Sequence, residues 1–291
     1  MEPPEQLSVA ERVVVGRGAP AVGSVIDADL LDDPYAAATA EFYELLATAH
    51  WQRTGADLVG LLAGVDPTAG PIIDVGAGTG IGLPYLLDAV PAADLYAIEP
   101  SRAMRTALHT RLILDPRLNG RVTVDPRPVK DALPARGCAV VLSAVLGHLD
   151  EIDRYRLWRF AAEQIPVGAP VVVEVLPPYR PLVVEPVRYA AIPVGRFTYE
   201  GWQSGEPAGD RLMRWTMSYR VLDGDVVVSE QSVVSTYRCW SPDDLRSEVE
   251  PFGLTATEHG DAVIIRMSVR PRMSSPSGSR SDPRRSSSSK A

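Results

Sequence analysis

Residues 72–80 read Ile-Ile-Asp-Val-Gly-Ala-Gly-Thr-Gly, an apolar strand that runs directly into a loop with three glycines. The pattern after the loop predicts a helix, with Pro84 where a first helical turn tolerates proline. Glycines let a backbone pass close to a bound ligand, and a helix N-terminus presents free N–H groups and a positive dipole end. We therefore expect this turn to hold the carboxylate or phosphate of a nucleotide-like ligand.

The alternation of strand and helix continues along the chain from this point. Apolar runs predict strands at Ile72–Val75, Leu95–Ile98, Val122–Val124, Ala139–Leu142 and Val171–Val175. Helical segments lie between most of them, with Ser101 and Asp150 as expected N-caps. Strands and helices that alternate in this way form a parallel sheet with helices on both faces. The predicted fold class is therefore α/β, with a doubly wound, mainly parallel sheet.

The spacing of the glycines distinguishes between kinds of nucleotide-binding loop. A dinucleotide loop has the pattern G-x-G-x-x-G, but its third glycine position falls on Ile81 when counted from Gly76 and on Leu83 when counted from Gly78. A P-loop would end in Gly-Lys followed by Ser or Thr, which this segment lacks. The pattern that is present is D-x-G-x-G-x-G, beginning at Asp74.

This segment resembles the first motif of the class I, Rossmann-like S-adenosylmethionine (SAM)-dependent methyltransferases. A second likeness is Glu99, which ends the next predicted strand 19 residues beyond Gly80, where the family has an acid that accepts the ribose hydroxyls. The resemblance extends roughly from Leu30 to Leu176 and implies SAM as the cofactor, without a metal. The cofactor-binding residues that it implies are Asp74, Gly76, Ala77, Gly78, Gly80, Glu99, Pro100, Val129 and Ser143.

Two features depart from the family pattern. The acid that often follows the third strand to meet the adenine amino group is missing, and the nearest equivalent is Pro128-Val129. Adenine would then be held by backbone and apolar contacts there, or by Asp131. The fourth strand usually opens with an acid as well, whereas here it opens with Gly137-Cys138-Ala139.

Helical spacing of apolar residues predicts two helices before the glycine loop, at Pro34–His50 and Thr54–Leu62. In related enzymes, helices at this place fold over the cofactor as a lid. On that likeness, Tyr35 and Tyr43 are expected to contact the cofactor. Packing in a helical core would explain the positions of these tyrosines equally well.

The loop after the fourth predicted strand carries His148, the candidate catalytic base. Ligands of α/β folds bind at the carboxyl ends of the strands, and in similar methyltransferases this loop borders the methionine part of SAM and the acceptor. A hydroxyl acceptor generally needs such a base, whereas an amine needs only to be unprotonated. The alternative is that His148 caps or packs the next helix. We interpret His50, His109 and His259 as structural or solvent-facing.

The pattern changes after Pro177-Pro178. Arg211–Arg238 reads as two long alternating strands around a tight turn, which predicts a hairpin rather than another strand–helix unit. We expect the region 179–240 to cover the acceptor, with Tyr179 and Trp202 among aromatic side chains that could surround a cationic amine. The other interpretation is that such aromatics form the hydrophobic underside of the hairpin.

These elements divide the chain into six parts. They are an irregular N-terminal arm (1–31), a helical lid (32–69), a SAM-binding core (70–178), an acceptor-side cap (179–240), the last helix and strand of the core (241–270) and a disordered tail (271–291). Ser, Pro, Gly and Arg dominate the tail, and such a composition cannot offset the entropy of ordering.

Composition limits the partners and the compartment. The formal net charge is −8, and the last 22 residues carry six basic side chains against one acid, so the rest of the chain is more acidic still. An acidic body repels phosphate backbones, which argues against nucleic acid. No apolar run could span a bilayer and the first residues lack the layout of a signal peptide, so we expect no membrane association and a cytoplasmic location. A homodimer is left open.

The leading hypothesis from the sequence is a SAM-dependent methyltransferase of specialised-metabolite (natural-product) or modified-peptide biosynthesis. The acceptor would be a small molecule or a peptide, with N-methylation favoured over O-methylation because of the acidic body and the aromatic cap. One alternative is an NAD-dependent oxidoreductase, against which the glycine spacing argues. The other is a SAM-binding scaffold protein without catalysis, which the sequence does not exclude.

Overall fold

A computed structural model of the chain describes residues 38–259, the single residues Asp33 and Tyr35, and the backbone of two strands, Ser24–Asp27 and Ile264–Val269. Most of the predicted arm at 1–31 and the whole predicted disordered tail at 271–291 lie outside the described residues. Within the predicted arm, Ser24–Asp27 is a strand, which corrects the expectation of an irregular segment there.

The described residues form strands and helices in a regular order. The strands are β1 (Ser24–Asp27), β2 (Ile72–Val75), β3 (Leu95–Ile98), β4 (Val122–Asp125), β5 (Ala139–Leu142), β6 (Pro170–Glu174), β7 (Val184–Val194), β8 (Phe197–Pro207), β9 (Leu212–Asp223), β10 (Val226–Arg238), β11 (Leu254–Glu258) and β12 (Ile264–Val269). The helices are α1 (Thr39–Leu62), α2 (Leu83–Ala89), α3 (Arg102–Leu114), α4 (Val129–Ala132), α5 (Glu151–Gln164) and α6 (Pro242–Val249).

Seven strands form one sheet, the core sheet, in the order β11-β12-β6-β5-β2-β3-β4. The strands from β2 to β6 pair in parallel with their neighbours, whereas β12 is antiparallel to both β6 and β11. The predicted doubly wound, mainly parallel sheet is confirmed. Chain order reverses between β2 and β5, the kind of switch point at which ligands bind in open α/β sheets.

Alternate residues of the core strands point to opposite faces of the sheet, and each face packs against helices. On one face, Leu157 and Trp158 of α5 are fully buried in a cluster with Ile73 and Val140. On the other face, Leu62 of α1 belongs to a second cluster that also includes residues of α2. Because both faces are covered, the strands carry nearly continuous apolar runs.

The predicted helix starts are confirmed. The Ser101 hydroxyl accepts a hydrogen bond from the Met104 N–H at the start of α3. Asp150 accepts from the Asp153 N–H at the start of α5, and the Asp153 side chain accepts in return from the backbone of Asp150. Such reciprocal caps satisfy N–H groups that have no partner inside the helix.

A second sheet, the cap sheet, has the order β1-β10-β9-β8-β7. The predicted hairpin at Arg211–Arg238 is confirmed as β9 and β10, which pair in antiparallel fashion. The strands β7 and β8 extend it, and β1 adds a parallel edge.

A single helix, α1, joins the two sheets. The sequence predicts two helices here, at Pro34–His50 and Thr54–Leu62, but α1 is continuous because no glycine or proline interrupts it between them. Its N-terminal half packs on the cap sheet, where Phe42 stacks on Tyr219 with ring centroids 4.9 Å apart. Its C-terminal half packs on the core sheet, so α1 crosses the space between the two.

Candidate active site

The loop after β2 lies at the carboxyl edge of the core sheet, at the switch point. Gly76 and Gly78 have φ angles of 72° and 57°, in the left-handed region that side chains rarely tolerate. A Cβ on Gly76 would lie 2.5 Å from the Val145 side chain, so the loop after β5 closes directly against this turn. Ala144 in that loop also has a positive φ, 54°, which is unusual for a residue with a side chain and is often found at functional sites.

Glu99, at the end of β3, connects the glycine loop to the start of α3. One carboxylate oxygen accepts a hydrogen bond from the Gly78 N–H at 2.7 Å, and the other accepts from the Ser101 N–H at 2.7 Å. Burial raises the pKa of Glu99, while these two N–H groups act in the opposite direction. Each carboxylate oxygen has a further lone pair, which suits a ligand with two adjacent hydroxyl groups.

Asp74 lies inside the same site, two residues before the first glycine of the loop. Its side chain is only 5% exposed. Burial, and to a smaller extent the charge of Glu99, raises the pKa of Asp74 to about 7. A cation bound nearby would stabilise the ionised carboxylate, so the site suits a ligand with a positively charged group.

Two tyrosines lie at the glycine loop and at the neighbouring loop after β5. The ring of Tyr43 on α1 lies against Gly78, where a Cβ would be 3.5 Å from it. Burial raises the pKa of Tyr43, and so do the neighbouring carboxylates of Glu99 and Asp74. Asp33 accepts hydrogen bonds from the N–H groups of Tyr35 and Ala103, which holds the segment before α1 at the start of α3. The structure therefore brings Tyr43 to the glycine loop and Tyr35 to His148 in the neighbouring loop after β5.

His148 lies in the loop after β5 and meets residues from two other parts of the chain. Its Nε2 is 3.3 Å from the Tyr35 hydroxyl. Its ring lies edge-on to Tyr237 of β10, with centroids 5.1 Å apart. Tyr237 packs tightly on this loop, since a Cβ on Gly147 would overlap its ring. Sequence reasoning missed Tyr237, although strand alternation in the predicted hairpin places it on the same face as Tyr219.

Comparison with solved protein structures shows which fold the chain has. No model of a known protein family matches the chain, and no curated protein does. Among solved structures, the SAM-bound amino pentose methyltransferase CalS10 of Micromonospora echinaspora has a TM-score of 0.63 and 17% identity, over 79% of this chain and 96% of its own. The sugar N-methyltransferase KedS8 of Streptoalloteichus has a TM-score of 0.63 and 19% identity, over 92% of this chain and 100% of its own. DesVI of Streptomyces venezuelae has a TM-score of 0.64 and 19% identity, over 79% and 96%.

The chain has the class I SAM-dependent methyltransferase fold. In this fold the glycine loop, Glu99 and the two tyrosines lie together at the carboxyl edge of the core sheet. Pro100 follows Glu99 and is exposed. Ala77 of the loop is buried against the apolar cluster beneath it.

The segment after β4 differs from the family pattern, in which an acid there often meets the adenine amino group, and the sequence predicts this difference. Val129 begins α4, and its side chain is buried in the core. Asp131 is exposed. Asp125, which ends β4, accepts from the Tyr96 hydroxyl and pairs with Arg127, and this pairing holds the pKa of Asp125 well below its usual range. The carboxylate of Asp125 is therefore already occupied by partners within the protein.

The two residues expected to contact the acceptor lie elsewhere. Tyr179 packs against the core cluster that contains α5 and α6 residues. Trp202 projects from the cap-sheet face opposite to the one that α1 covers, because its neighbour Gly201 faces Leu46. There it donates a hydrogen bond to Glu200 at 2.8 Å. Neither position favours acceptor binding.

The inner face of the cap sheet is the face that α1 covers. Trp215 and Tyr237 project from this face, because the strand pairing places them on the same side of the sheet as Tyr219.

Among the described residues, no group of three or more His, Cys, Asp or Glu side chains is placed to hold a metal ion. No helix in that part of the chain is long and apolar enough to cross a membrane.

Proposed function

We propose that the chain is a SAM-dependent methyltransferase that methylates an amine nitrogen of a small acceptor. The observation that carries the proposal is the contact between Glu99 and the Gly78 N–H, which connects the glycine turn to an acidic residue at the next strand end. Glu99 would bind the ribose hydroxyls, and the loop would hold the methionine carboxylate. Buried Asp74 suits the cationic amino group of the same ligand.

The acceptor class follows from the neighbours and from the charges of the site. CalS10 is described as an amino pentose methyltransferase of calicheamicin biosynthesis, and KedS8 as a sugar N-methyltransferase. A site rich in carboxylates attracts a cationic amine more than a neutral hydroxyl. We therefore place the acceptor among amino sugars of natural-product biosynthesis rather than peptides.

SAM supplies an electrophilic methyl group when it is bound. The residues of the chain have to orient the acceptor nitrogen, exclude water and take up the proton that the nitrogen loses. His148 would take up the proton, and its place in the loop after β5, with its Nε2 3.3 Å from the Tyr35 hydroxyl, supports this role. Tyr35 and Tyr43 close the site from the side of α1.

Two experiments test this function in order. Calorimetric titration with SAM, its product S-adenosylhomocysteine and NAD should give binding of the first two only. Incubation with SAM and a panel of amino sugars and their hydroxyl counterparts, followed by mass spectrometry, should then show the gain of one methyl group on amines. Binding of NAD alone would contradict the cofactor assignment, and SAM binding without transfer to any acceptor would favour a scaffold protein.

A further inference from the structure

Glu174 ends β6 at the carboxyl edge of the core sheet, and its carboxylate is only 7% exposed. One of its oxygens accepts a hydrogen bond from the Ser143 hydroxyl. The other lies 2.9 Å from Nε2 of His50 on α1, which is within ion-pair distance but outside hydrogen-bond geometry. Three separate elements, β5, β6 and α1, therefore converge on one buried carboxylate.

This group adjoins the site already described. Tyr43 and His50 are seven residues apart on α1, close to two helical turns or about 10 Å, so they lie on nearly the same side of the helix. The charge of Glu174 contributes to raising the pKa of Tyr43, after burial, Glu99 and Asp74. It also contributes to raising the pKa of Tyr237, after burial. Through Ser143, Glu174 is attached to the loop after β5, the same loop that closes against Gly76 and carries His148.

Three nearly buried carboxylates lie at this edge of the core sheet. Asp74, Glu99 and Glu174 are all nearly buried, with exposures of 5%, 6% and 7%. Asp74 and Glu99 flank the glycine loop and would face the ammonium and ribose groups of SAM. Glu174 lies at the end of β6, two strands from β2 in the core sheet. The basic side chain nearest to its carboxylate in the ion pairs of the described residues is His50.

A buried carboxylate is costly to maintain even where a hydrogen bond and a nearby basic group compensate it, as Ser143 and His50 do here, because the loss of hydration can exceed their contribution. Apolar packing could attach α1 to β6 without this cost, as it does around Leu58 and Trp51. The carboxylate therefore calls for a role in binding. The complementary ligand group is a cation that enters from the acceptor side.

We propose that Glu174 is an acceptor-binding residue that selects an ammonium group over a hydroxyl, and that Ser143 and His50 position its carboxylate. The inference rests on the proposed function, of which it names the recognition step. It also gives Ser143 a role toward the acceptor rather than toward the cofactor.

The test compares binding of glucosamine and glucose by ligand-observed NMR, at a pH where the amine is protonated, with and without S-adenosylhomocysteine. The wild type should bind glucosamine at least about tenfold more tightly, as expected for a hydrogen bond between charged groups. Glu174→Gln should abolish this preference. Glu174→Asp should retain part of it, because the charge remains. The matched control is Glu200→Gln, which changes an equally buried glutamate on the outer face of the cap sheet.

The inference would be overturned if Glu174→Gln still preferred glucosamine, or if the wild type showed no such preference. Either result would leave Glu174 as a structural link to α1. Failure of the proposed function has a different signature. It would appear as a wild type that binds neither SAM nor S-adenosylhomocysteine, whatever its preference between the two sugars.

Discussion

Glu99 has an observed contact with the glycine loop and a proposed role in ribose binding, and a single substitution tests both. Its carboxylate holds the glycine loop through the Gly78 N–H and has lone pairs left for the ribose. We expect Glu99→Gln to weaken SAM binding roughly 10- to 100-fold, because hydrogen bonds to a charged group are worth about 1.5–3 kcal/mol. Calorimetry measures this, with exposed Glu206→Gln as the control. Unchanged SAM affinity in a folded variant would sink the assignment.

Asp74 should make cofactor binding depend on pH. With a pKa raised to about 7, much of the free protein carries a neutral Asp74 below that pH. The cationic ligand favours the ionised form, so SAM affinity should rise as pH increases toward 7 and level off above it. Binding below pH 7 should release a proton. Calorimetry in buffers of different ionisation enthalpy measures both effects.

In the free protein, the same ionisation should lower stability as pH rises, whereas it raises the affinity for SAM. An unfolded aspartate ionises near its ordinary pKa of about 3.9, whereas the folded one ionises near 7. The contribution of Asp74 to the free energy of unfolding therefore falls as pH rises between these values. Asp74→Asn serves as the control and should bind SAM with little pH dependence over this range. If SAM binding by Asp74→Asn depended on pH as strongly as binding by the wild type, a group other than Asp74 would be responsible for the pH dependence.

At the level of elements, α1 is fastened to the glycine loop and to α3 by one glutamate. Glu44 accepts a hydrogen bond from the Thr79 hydroxyl and pairs with Arg111, whose Nε also donates to the Thr79 carbonyl at 3.1 Å. An open cleft between α1 and α3 lies beside this contact. Because Tyr43 of α1 lies over the loop, we expect any movement of α1 away from the loop to break the contact.

We expect Glu44→Ala to accelerate dissociation of SAM about 2- to 5-fold, the effect of losing a partly exposed pair. Stopped-flow displacement of SAM by excess S-adenosylhomocysteine measures the rate. Glu41→Ala is the control, since Glu41 is exposed and one turn earlier on α1. Equal dissociation rates in both variants would show that Glu44 does not hold the lid closed.

The elements that the sequence predicts are those with strong local signals. The strand, glycine loop and Glu99 follow one another along the chain, so spacing alone places them together. The strand β7 escapes prediction because Pro186 and Pro193 interrupt its pattern, yet β7 is an edge strand, where proline is tolerated. The strand β11 is missed as well, because Leu254–Glu258 is short and half of it is polar and exposed.

The parts of the site that were missed depend on tertiary contacts. His50 lies in a helix and Glu174 at a strand end, 124 residues apart, and only folding places them 2.9 Å from each other. Tyr237 reaches His148 only through the orientation of the cap sheet. Trp202 was assigned to the acceptor from its residue type, but strand alternation turns it to the outer face.

At the scale of the whole molecule, α1 and the contact between Tyr237 and the loop after β5 both set the relative position of the two sheets. The inner face of the cap sheet and the carboxyl edge of the core sheet supply opposite walls of the site, and α1 packs on both. We expect the contact between Tyr237 and His148 to weaken when the packing of α1 on the cap sheet is lost. Stability and the geometry of the site are linked through this helix.

Phe42 tests this link, because it is 1% exposed and stacks between Tyr199 and Tyr219 of the cap sheet. We expect Phe42→Ala to lower the free energy of unfolding by roughly 3–5 kcal/mol, as measured by denaturant titration. Val228→Ala is the control on the exposed hairpin tip and should change it by less than about 0.5 kcal/mol. If Phe42→Ala were equally harmless, contacts other than α1 would have to hold the cap sheet over the site.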